Sequence, residues 1–254
     1  MTDATGIAVV IGASHGIGLA MVRQMLTLPT ITRLYACSRH ALLSDELAEL
    51  AVHQGDRLQC LSVDVTRETD IARLANEVRE RDQKLHWLVN CAGLLHDPAR
   101  DIRPEKRLEN VDIGQLEAVF RVNAFAPILL ARHFLPLLSH DAPATFASLS
   151  ARVGSIGDNE LGGWYSYRAS KAAQNQLLRT LAIEARRRAP NLTVISLHPG
   201  TTDTTLSRPF QRNVPDGKLF SPAFVAEKLL PLVLDIRPQQ SGRFLAWDGT
   251  EIPW

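Results

Sequence analysis

The sequence predicts an α/β protein with a doubly wound parallel sheet of the Rossmann type and helices on both faces. Short apolar runs of strand length alternate with amphipathic stretches along the chain, which is typical of such sheets. A glycine-rich turn joins the first run to the first amphipathic stretch. Because we find no linker, repeat or low-complexity tract, we predict a single domain over residues 1–254.

Each predicted strand is a short run rich in β-branched or other apolar residues, and several end in glycine. The predicted strands are 6–12, 33–38, 57–65, 85–93, 144–150, 191–200 and 242–247. Helical spacing predicts helices over 16–28, 44–54, 66–82, 113–138 and 222–235, and a further helix that opens near Tyr165. Ser44 is a possible N-cap and Thr66 a weak one. The segments 95–112 and 201–221 are irregular.

Composition excludes several classes of protein. Apolar residues make up 45% of the chain and the net charge is +1, so we expect a globular protein that binds neither nucleic acid nor membrane. The longest apolar region, "AFAPILLARHFLPLL", is too short to span a bilayer and carries Arg132 and His133. Three scattered cysteines and the absence of a signal peptide predict a cytoplasmic location, and no His/Cys/Asp cluster suggests a metal.

The turn "GASHGIG" places Gly12, Gly16 and Gly18 between the first strand and the first helix. Glycines there allow the backbone to approach a pyrophosphate, whose charge the helix N-terminus favours. The alternative is that they serve only strand–helix packing. His15, inside the turn, is a possible further donor.

The second strand ends in "CSRH", and no Asp or Glu occurs from Leu19 to Ser44. A carboxylate in this region usually binds the ribose 2′-hydroxyl of NAD, whereas a guanidinium suits the 2′-phosphate of NADP. Ser38 and Arg39 therefore favour NADP, with NAD possible. The alternative is a solvated Arg39.

The stretch "WYSYRASK" places Tyr167 and Lys171 four residues apart, so they share a face of a helix. Tyr165 has no cation at that spacing and is assigned to packing or substrate contact. A free phenol has a pKa of about 10, and a nearby ammonium lowers it, which suits a general acid/base near neutral pH. The alternative is a surface pair without function.

Asn123 lies four residues before Pro127 on the long helix. Proline has no N–H, so the carbonyl of residue 123 loses its helical partner and we expect a kink there. The freed carbonyl can hold a water that leads to Lys171. The alternative is that Pro127 only shapes the helix.

These motifs together resemble the short-chain dehydrogenase/reductase family, in its carbonyl-reductase and C-factor-like branch. The pieces stand in the expected order: "GASHGIG", "VDV", "NCAG", "VNA", "YRASK" and "PGTTDT". The resemblance implies hydride transfer between a carbonyl and an alcohol with NAD(P), Tyr167 and Lys171 as the catalytic pair and Asn123 as a further member. It implies cofactor contacts from Gly12, Ser14, His15, Gly16, Ile17, Gly18, Ser38, Arg39, Asp64, Val65, Asn90, Ala92, Gly93, Tyr167, Lys171, Pro199, Gly200, Thr202 and Thr204.

The catalytic serine is the departure from the pattern. The family places it three residues before a glycine, and counting back from Gly154 reaches Ala151. Ser150 is one place early, and strand alternation should aim it away from the site unless the strand turns or bulges there. We nevertheless assign Ser150, with Ser155 as a weaker candidate; the alternative is a lost hydroxyl.

The prediction is an NADP-preferring carbonyl reductase or alcohol dehydrogenase that acts on a small-molecule carbonyl or alcohol. The resemblance also implies a homodimer or homotetramer. His198 is interpreted as a packed histidine, and the sequence lacks the G-x-S-x-G pattern of a serine hydrolase. The alternative function is a cofactor-binding signalling or regulatory protein on the same fold.

Overall fold

Seven parallel strands form the central sheet in the computed structural model, which describes residues 5–254. The strands of this sheet are β1 Gly6–Ile11, β2 Ile31–Ser38, β3 Leu58–Ser62, β4 Trp87–Asn90, β5 Ala144–Leu149, β6 Leu192–His198 and β9 Arg243–Ala246, and a separate two-stranded sheet consists of β7 Thr201–Thr202 and β8 Leu219–Phe220. The sheet runs in the order β3-β2-β1-β4-β5-β6-β9. The order reverses between β1 and β4, and ligands bind at such a switch point, outside the carboxyl ends of the strands.

Helices cover both faces, as the sequence predicted. They are α1 Gly16–Leu26, α2 Asp45–Gln54, α3 Glu68–Asp82, α4 Ile113–Phe120, α5 Ala126–Leu138, α6 Tyr165–Arg188 and α7 Pro222–Leu234. One core contains Leu74 of α3, Phe134 of α5 and Leu178 of α6. The other contains Met21 of α1 and Leu229 of α7. The strands are buried between these two layers, which explains their nearly continuous apolar sequences.

The local predictions at helix and loop ends had mixed outcomes. Ser44 caps α2 as expected, since its Oγ accepts a hydrogen bond from Leu47 N at 3.4 Å. The Thr66 cap was wrong: Arg67 is the N-cap of α3, and Thr66 donates to Asp64 instead. The loop 201–221 contains β7 and β8, which pair in parallel and which the sequence did not reveal.

The predicted long helix is present, with a five-residue π-helical turn, Arg121–Phe125, between α4 and α5. The whole stretch Ile113–Leu138, which includes the apolar region of the sequence analysis, has 26 residues and by length and composition alone could cross a membrane. In the fold, however, α5 buries Leu130 and Phe134 in the core, and its Arg132 contacts Glu68 of α3 at 2.9 Å.

Candidate active site

The glycine turn between β1 and α1 forms a backbone cradle that side chains would fill. A Cβ atom at Gly18 would lie 2.1 Å from the Gly12 carbonyl oxygen, so only glycine fits there. Gly12 and Gly16 have φ angles of 80° and 56°, in the left-handed region that glycine adopts readily. Because α1 begins at Gly16, its first N–H groups lie at this turn. The geometry suits the close approach of a pyrophosphate.

Two further segments from the carboxyl ends of strands reach the same turn. A Cβ atom at Gly12 would lie 2.9 Å from the backbone nitrogen of Ala92, just after β4. A Cβ atom at Gly16 would lie 3.2 Å from Thr204 Cγ2, in the segment after β6. The structure therefore brings together three motifs that the sequence placed far apart. Ser14 and His15 lie in the turn, and Ile17 packs against the core that contains Met21 of α1 and Leu229 of α7.

The segment that begins at Pro199 is held in place by the small sheet. Gly200 has a φ of 74°, and a Cβ atom there would lie 2.7 Å from the Phe220 ring. Thr202 pairs with Phe220 in the β7–β8 ladder, and its hydroxyl donates to the Gly200 carbonyl oxygen at 3.4 Å. The segment therefore has a defined path beside the glycine turn.

The end of β2 carries the pair that the sequence assigned to cofactor choice. Ser38 is 8% exposed, and its Oγ has no hydrogen-bond partner among residues 5–254. Arg39 is exposed. Burial raises the pKa of the Asp64 carboxyl, but hydrogen bonds from Thr66 and the charge of Arg39 hold that pKa below its ordinary value. The free Ser38 hydroxyl, the guanidinium and the cradle together fit a dinucleotide that carries a 2′-phosphate.

The end of β4 is tied to its neighbours by an amide side chain. Asn90 donates from Nδ2 to Ser148 Oγ of β5 at 2.9 Å, and its Oδ1 accepts a hydrogen bond from Ala92 N at 3.2 Å. Asn90 therefore links β4 to β5. Gly93 lies in the segment after β4, and a Cβ atom there would lie 3.8 Å from Asn123 Oδ1. Val65 is 8% exposed and belongs to the core on the α3 face.

Asn123 lies in the π-helical turn, where Pro127 removes an N–H from the ladder. The helix is therefore locally π-helical at the position where the sequence predicted a kink. The Asn123 side chain is 0% exposed; its Oδ1 accepts a hydrogen bond from Leu94 N and its Nδ2 donates to Leu94 O, both at 2.8 Å. It also donates to Ser170 Oγ at 3.0 Å. Asn123 thus fastens the segment after β4 to α6.

Tyr167 and Lys171 share one face in the first turns of α6, and Lys171 Nζ lies 5.9 Å from the centroid of the Tyr167 ring. Both side chains are buried, with exposures of 8% and 2%. Burial raises the pKa of Tyr167 to about 12 and lowers the pKa of Lys171 to about 7. Lys171 Nζ donates to the Leu149 carbonyl oxygen at 2.8 Å and to Gln174 Oε1 at 3.0 Å.

The sequence predicted that Lys171 lowers the pKa of Tyr167, and the structure gives the opposite direction. Burial is the cause of the shift in the Tyr167 pKa, and the Lys171 ammonium has its hydrogen bonds to Leu149 and Gln174. At neutral pH the phenol therefore keeps its proton.

The aim of Ser150 follows from its neighbours on β5. Ser148 Oγ accepts a hydrogen bond from Gln174 Nε2 at 3.1 Å, so the face that carries Ser148 is the one that α6 covers. Ser150 lies two residues further, and its N–H donates to Leu197 O of β6 at 2.7 Å, which continues the ladder. Ala151 remains extended, with φ and ψ of −149° and 145°, and therefore takes the opposite face.

By strand alternation Ser150 shares the face of Ser148, so the one-residue shift does not by itself turn Ser150 away from the side that α6 covers. That the Ser150 hydroxyl reaches the substrate oxygen stays a prediction. Ser150 is 4% exposed, and within the described part of the chain its Oγ lacks a hydrogen-bond partner. Ser155 is less suited, since its Oγ accepts a hydrogen bond from Asp158 N at 3.2 Å in its own loop.

His198 has a packing role, as expected. Its Nδ1 accepts a hydrogen bond from Arg152 N at 3.2 Å, and burial lowers the pKa of its imidazole to about 4. The neutral ring therefore supports the start of the loop that follows Ser150.

Glu105 was missed by the sequence analysis. It is 2% exposed and lies in the irregular segment after β4. Its Oε2 accepts a hydrogen bond from Ser166 N at 3.2 Å, its other carboxylate oxygen accepts one from Ser166 Oγ, and its carbonyl oxygen accepts one from Trp164 N at 2.5 Å. The carboxylate thus binds the first turn of α6, where it also meets the positive end of the helix dipole. Nothing in "RPEKRLEN" distinguishes this glutamate from its charged neighbours.

Aromatic side chains from three separate segments form a series of ring contacts that begins at Tyr167. The Trp164 ring is edge-on to Tyr167 at 6.2 Å and to Phe210 at 5.0 Å. His96 contacts Phe210 in turn at 5.6 Å. The irregular segments 95–112 and 201–221 therefore supply His96 and Phe210, and only the fold brings these rings together with Trp164.

A parallel sheet whose switch point carries a glycine cradle and a buried tyrosine–lysine pair defines a class of NAD(P)-dependent oxidoreductases. The family profile described as short chain dehydrogenase matches residues 6–215. The chain belongs to this family, and the resemblance seen in its motifs is confirmed.

The chain is similar to named relatives and to a solved structure. It is 33% identical to C-signal of Myxococcus xanthus over 147 residues, which is 58% of this chain and 83% of the relative. It is 30% identical over 192 residues to the 1-hydroxy-2-glutathionyl-2-methyl-3-butene dehydrogenase of Rhodococcus sp. strain AD45, and the matched residues are 76% of this chain and 78% of the relative. The structure of the NADPH-bound carbonyl reductase from chicken fatty liver is 27% identical in sequence, with a TM-score of 0.86, and the match covers 99% of this chain and 100% of the reductase.

Proposed function

We propose that the chain is an NADP-preferring reductase that interconverts a carbonyl and an alcohol. The observation that carries this proposal is the buried Tyr167–Lys171 pair, which lies at the same sheet edge as the glycine cradle and the Ser38–Arg39 pair. The similarity to an NADPH-bound carbonyl reductase supports both the reaction and the cofactor.

In this proposal the dinucleotide supplies or accepts the hydride, and the protein handles the proton and the geometry. The Tyr167 phenol, protonated at neutral pH, donates its proton to the carbonyl oxygen in the direction of reduction. The Lys171 ammonium stabilises the phenolate that remains, because opposite charges attract strongly in a buried site. The Ser150 hydroxyl donates a hydrogen bond to the same carbonyl oxygen, and Asn123 keeps α6 in register with the segment after β4.

Glycine-turn and strand-end residues hold the dinucleotide. The cradle of Gly12, Gly16 and Gly18 takes the pyrophosphate, and Ser38 and Arg39 take the 2′-phosphate. Further contacts are proposed for Ser14, His15, Ile17, Asp64, Val65, Asn90, Ala92, Gly93, Pro199, Gly200, Thr202 and Thr204. The segment after β6 lies at the turn through Thr204, which supports its place in this set.

The second candidate function is a signalling protein on the same fold. Two observations favour it: the similarity to C-signal, and Ala151 at the position where the family places serine. The test is to measure oxidation of NADPH with a panel of aldehydes and ketones, together with NADPH binding by calorimetry. Turnover supports the reductase, binding without turnover of any panel member supports the second candidate, and absence of binding contradicts both.

Cofactor choice should depend on Arg39. Replacing Arg39 with aspartate removes a charge-assisted contact and adds repulsion to the 2′-phosphate, so the preference for NADPH over NADH should fall by at least about tenfold. Dissociation constants of both cofactors for the two forms give the ratio. Arg73→Asp, an equal charge change on α3, is the control and should leave the ratio unchanged. An unaltered ratio in Arg39→Asp contradicts the assignment.

We also propose a homodimer or homotetramer. Helix α6 exposes Tyr165 and Ile183 by 41% and 52%, and Phe125 beside α5 is 49% exposed, which leaves apolar surface for a second copy. Light scattering at micromolar concentration should give a multiple of the 28.1 kDa chain mass. A monomer mass contradicts this proposal.

A further inference from the structure

Gln174 is a buried amide that contacts the candidate catalytic lysine. It is 0% exposed and lies one turn after Lys171 on α6. Its Oε1 accepts a hydrogen bond from Lys171 Nζ at 3.0 Å, and its Nε2 donates to Ser148 Oγ at 3.1 Å and to the Leu149 carbonyl oxygen at 3.3 Å. The amide therefore makes hydrogen bonds through both its oxygen and its nitrogen, which fixes its orientation.

The same hydrogen bonds continue to the end of β4. Ser148 Oγ also accepts a hydrogen bond from Asn90 Nδ2 at 2.9 Å, and Asn90 Oδ1 accepts one from Ala92 N at 3.2 Å. A continuous path of hydrogen bonds thus runs from the segment at the glycine turn to the lysine ammonium, and it is buried from Asn90 onward. Buried polar networks of this kind hold their members in one arrangement when every member has a partner.

The charge of Lys171 depends on these contacts. A buried ammonium is costly unless acceptors surround it, and here the Leu149 carbonyl oxygen and Gln174 Oε1 are the acceptors. Burial places the pKa of Lys171 at about 7, so a small change in its surroundings decides whether it is charged at neutral pH. The facing titratable group is Tyr167 on the same helix; Ser148 and Leu149 of β5 and Gly154 of the following loop present neutral groups.

We infer that Gln174 is a positioning residue that holds Lys171 Nζ beside the Leu149 carbonyl oxygen and keeps the lysine protonated. This inference rests on the proposed function in so far as Lys171 acts there as an ammonium. A glutamine that only fills space against Ser148 would leave the titration of Lys171 unchanged, which separates the two roles.

The test follows Lys171 directly by NMR, in protein with lysine labelled at Cε. The chain has five lysines, so each signal can be assigned by substitution to arginine. Gln174→Met keeps an unbranched side chain of similar length but removes the acceptor, so the pKa of Lys171 should fall by about one unit. Gln174→Glu places a carboxylate next to Nζ and should raise it by about one unit or more.

Gln176→Met is the control, because Gln176 lies on the same helix, is exposed, and contacts Thr180 instead. It should leave the Lys171 signal unmoved. If the pKa of Lys171 stays the same in both Gln174 variants, the inference is overturned. Should Gln174→Met fail to fold, Gln174→Glu decides alone: a raised pKa supports the inference, and an unchanged one overturns it.

Turnover gives the second measurement. The rate of carbonyl reduction should fall as pH rises through the pKa of Lys171. This falling limb of the pH–rate profile should move to lower pH in Gln174→Met and to higher pH in Gln174→Glu. Limbs that do not move contradict the inference. If the natural protein reduces no carbonyl, the proposed function fails, while the NMR titration still tests Gln174 by itself.

Discussion

Replacing Tyr167 with phenylalanine should lower the turnover of carbonyl reduction by about 10²–10⁴-fold, the range that general acid catalysis contributes. The substitution removes only the hydroxyl, so the buried ring can keep its contacts with Trp164 and Lys171. Affinity for NADPH should therefore change little. Steady-state rates and a cofactor dissociation constant, measured on both forms, check the two halves of this expectation.

Tyr165→Phe is the matched control, because it makes the same chemical change at the start of the same helix. Tyr165 is 41% exposed, whereas Tyr167 is 8% exposed and faces Lys171. The control should retain most of the turnover. Equal losses in the two variants, or full activity in Tyr167→Phe, would show that the phenol at 167 is not the proton donor.

Replacing Ser150 with alanine should lower turnover by about 10- to 100-fold, since a neutral hydrogen bond to the carbonyl oxygen is worth about 1–3 kcal/mol when its donor is removed. The Ser150 hydroxyl lies on the face that α6 covers and has no partner in the described residues. Its removal leaves no protein group unpaired there, so the fold should persist. Rates at saturating NADPH, together with a thermal unfolding curve, measure both effects.

Ala151→Ser is the reciprocal variant, because it restores the residue that the family has at this position. Ala151 takes the opposite face of the extended chain, so an added hydroxyl should change turnover little. The result that contradicts this assignment is a silent Ser150→Ala with an activated Ala151→Ser. That outcome would favour a degenerate site and the signalling function.

The fold could be predicted from the sequence because its signals are local and repeated. Buried parallel strands need nearly continuous apolar runs, and these runs alternate with amphipathic helices from β1 to β9. Pro127 predicted a kink in the long helix, and the structure has a π-helical turn there. The two-residue strands β7 and β8 were not predictable, since their pairing depends on how the loop folds back.

The site was predictable where residue type and spacing carry the chemistry, as for the glycines and for Tyr167 with Lys171. The direction of the Tyr167 pKa shift was not, because it depends on burial, which four-residue spacing does not report. Glu105 and Gln174 were missed for a related reason. Each acts through contacts that the fold brings together, with Ser166 in one case and with Ser148 and Leu149 in the other.

The hydrogen bonds between Glu105 and Ser166 couple the segment after β4 to the first turn of α6. The Glu105 backbone takes part as well, since its carbonyl oxygen accepts a hydrogen bond from Trp164 N at 2.5 Å. Exchanging the segment alone would remove the Glu105 carboxylate, and the first turn of α6, which carries Tyr167, would lose these hydrogen bonds. A chimera built with a relative's segment therefore keeps this contact only if the partner on α6 is transferred as well.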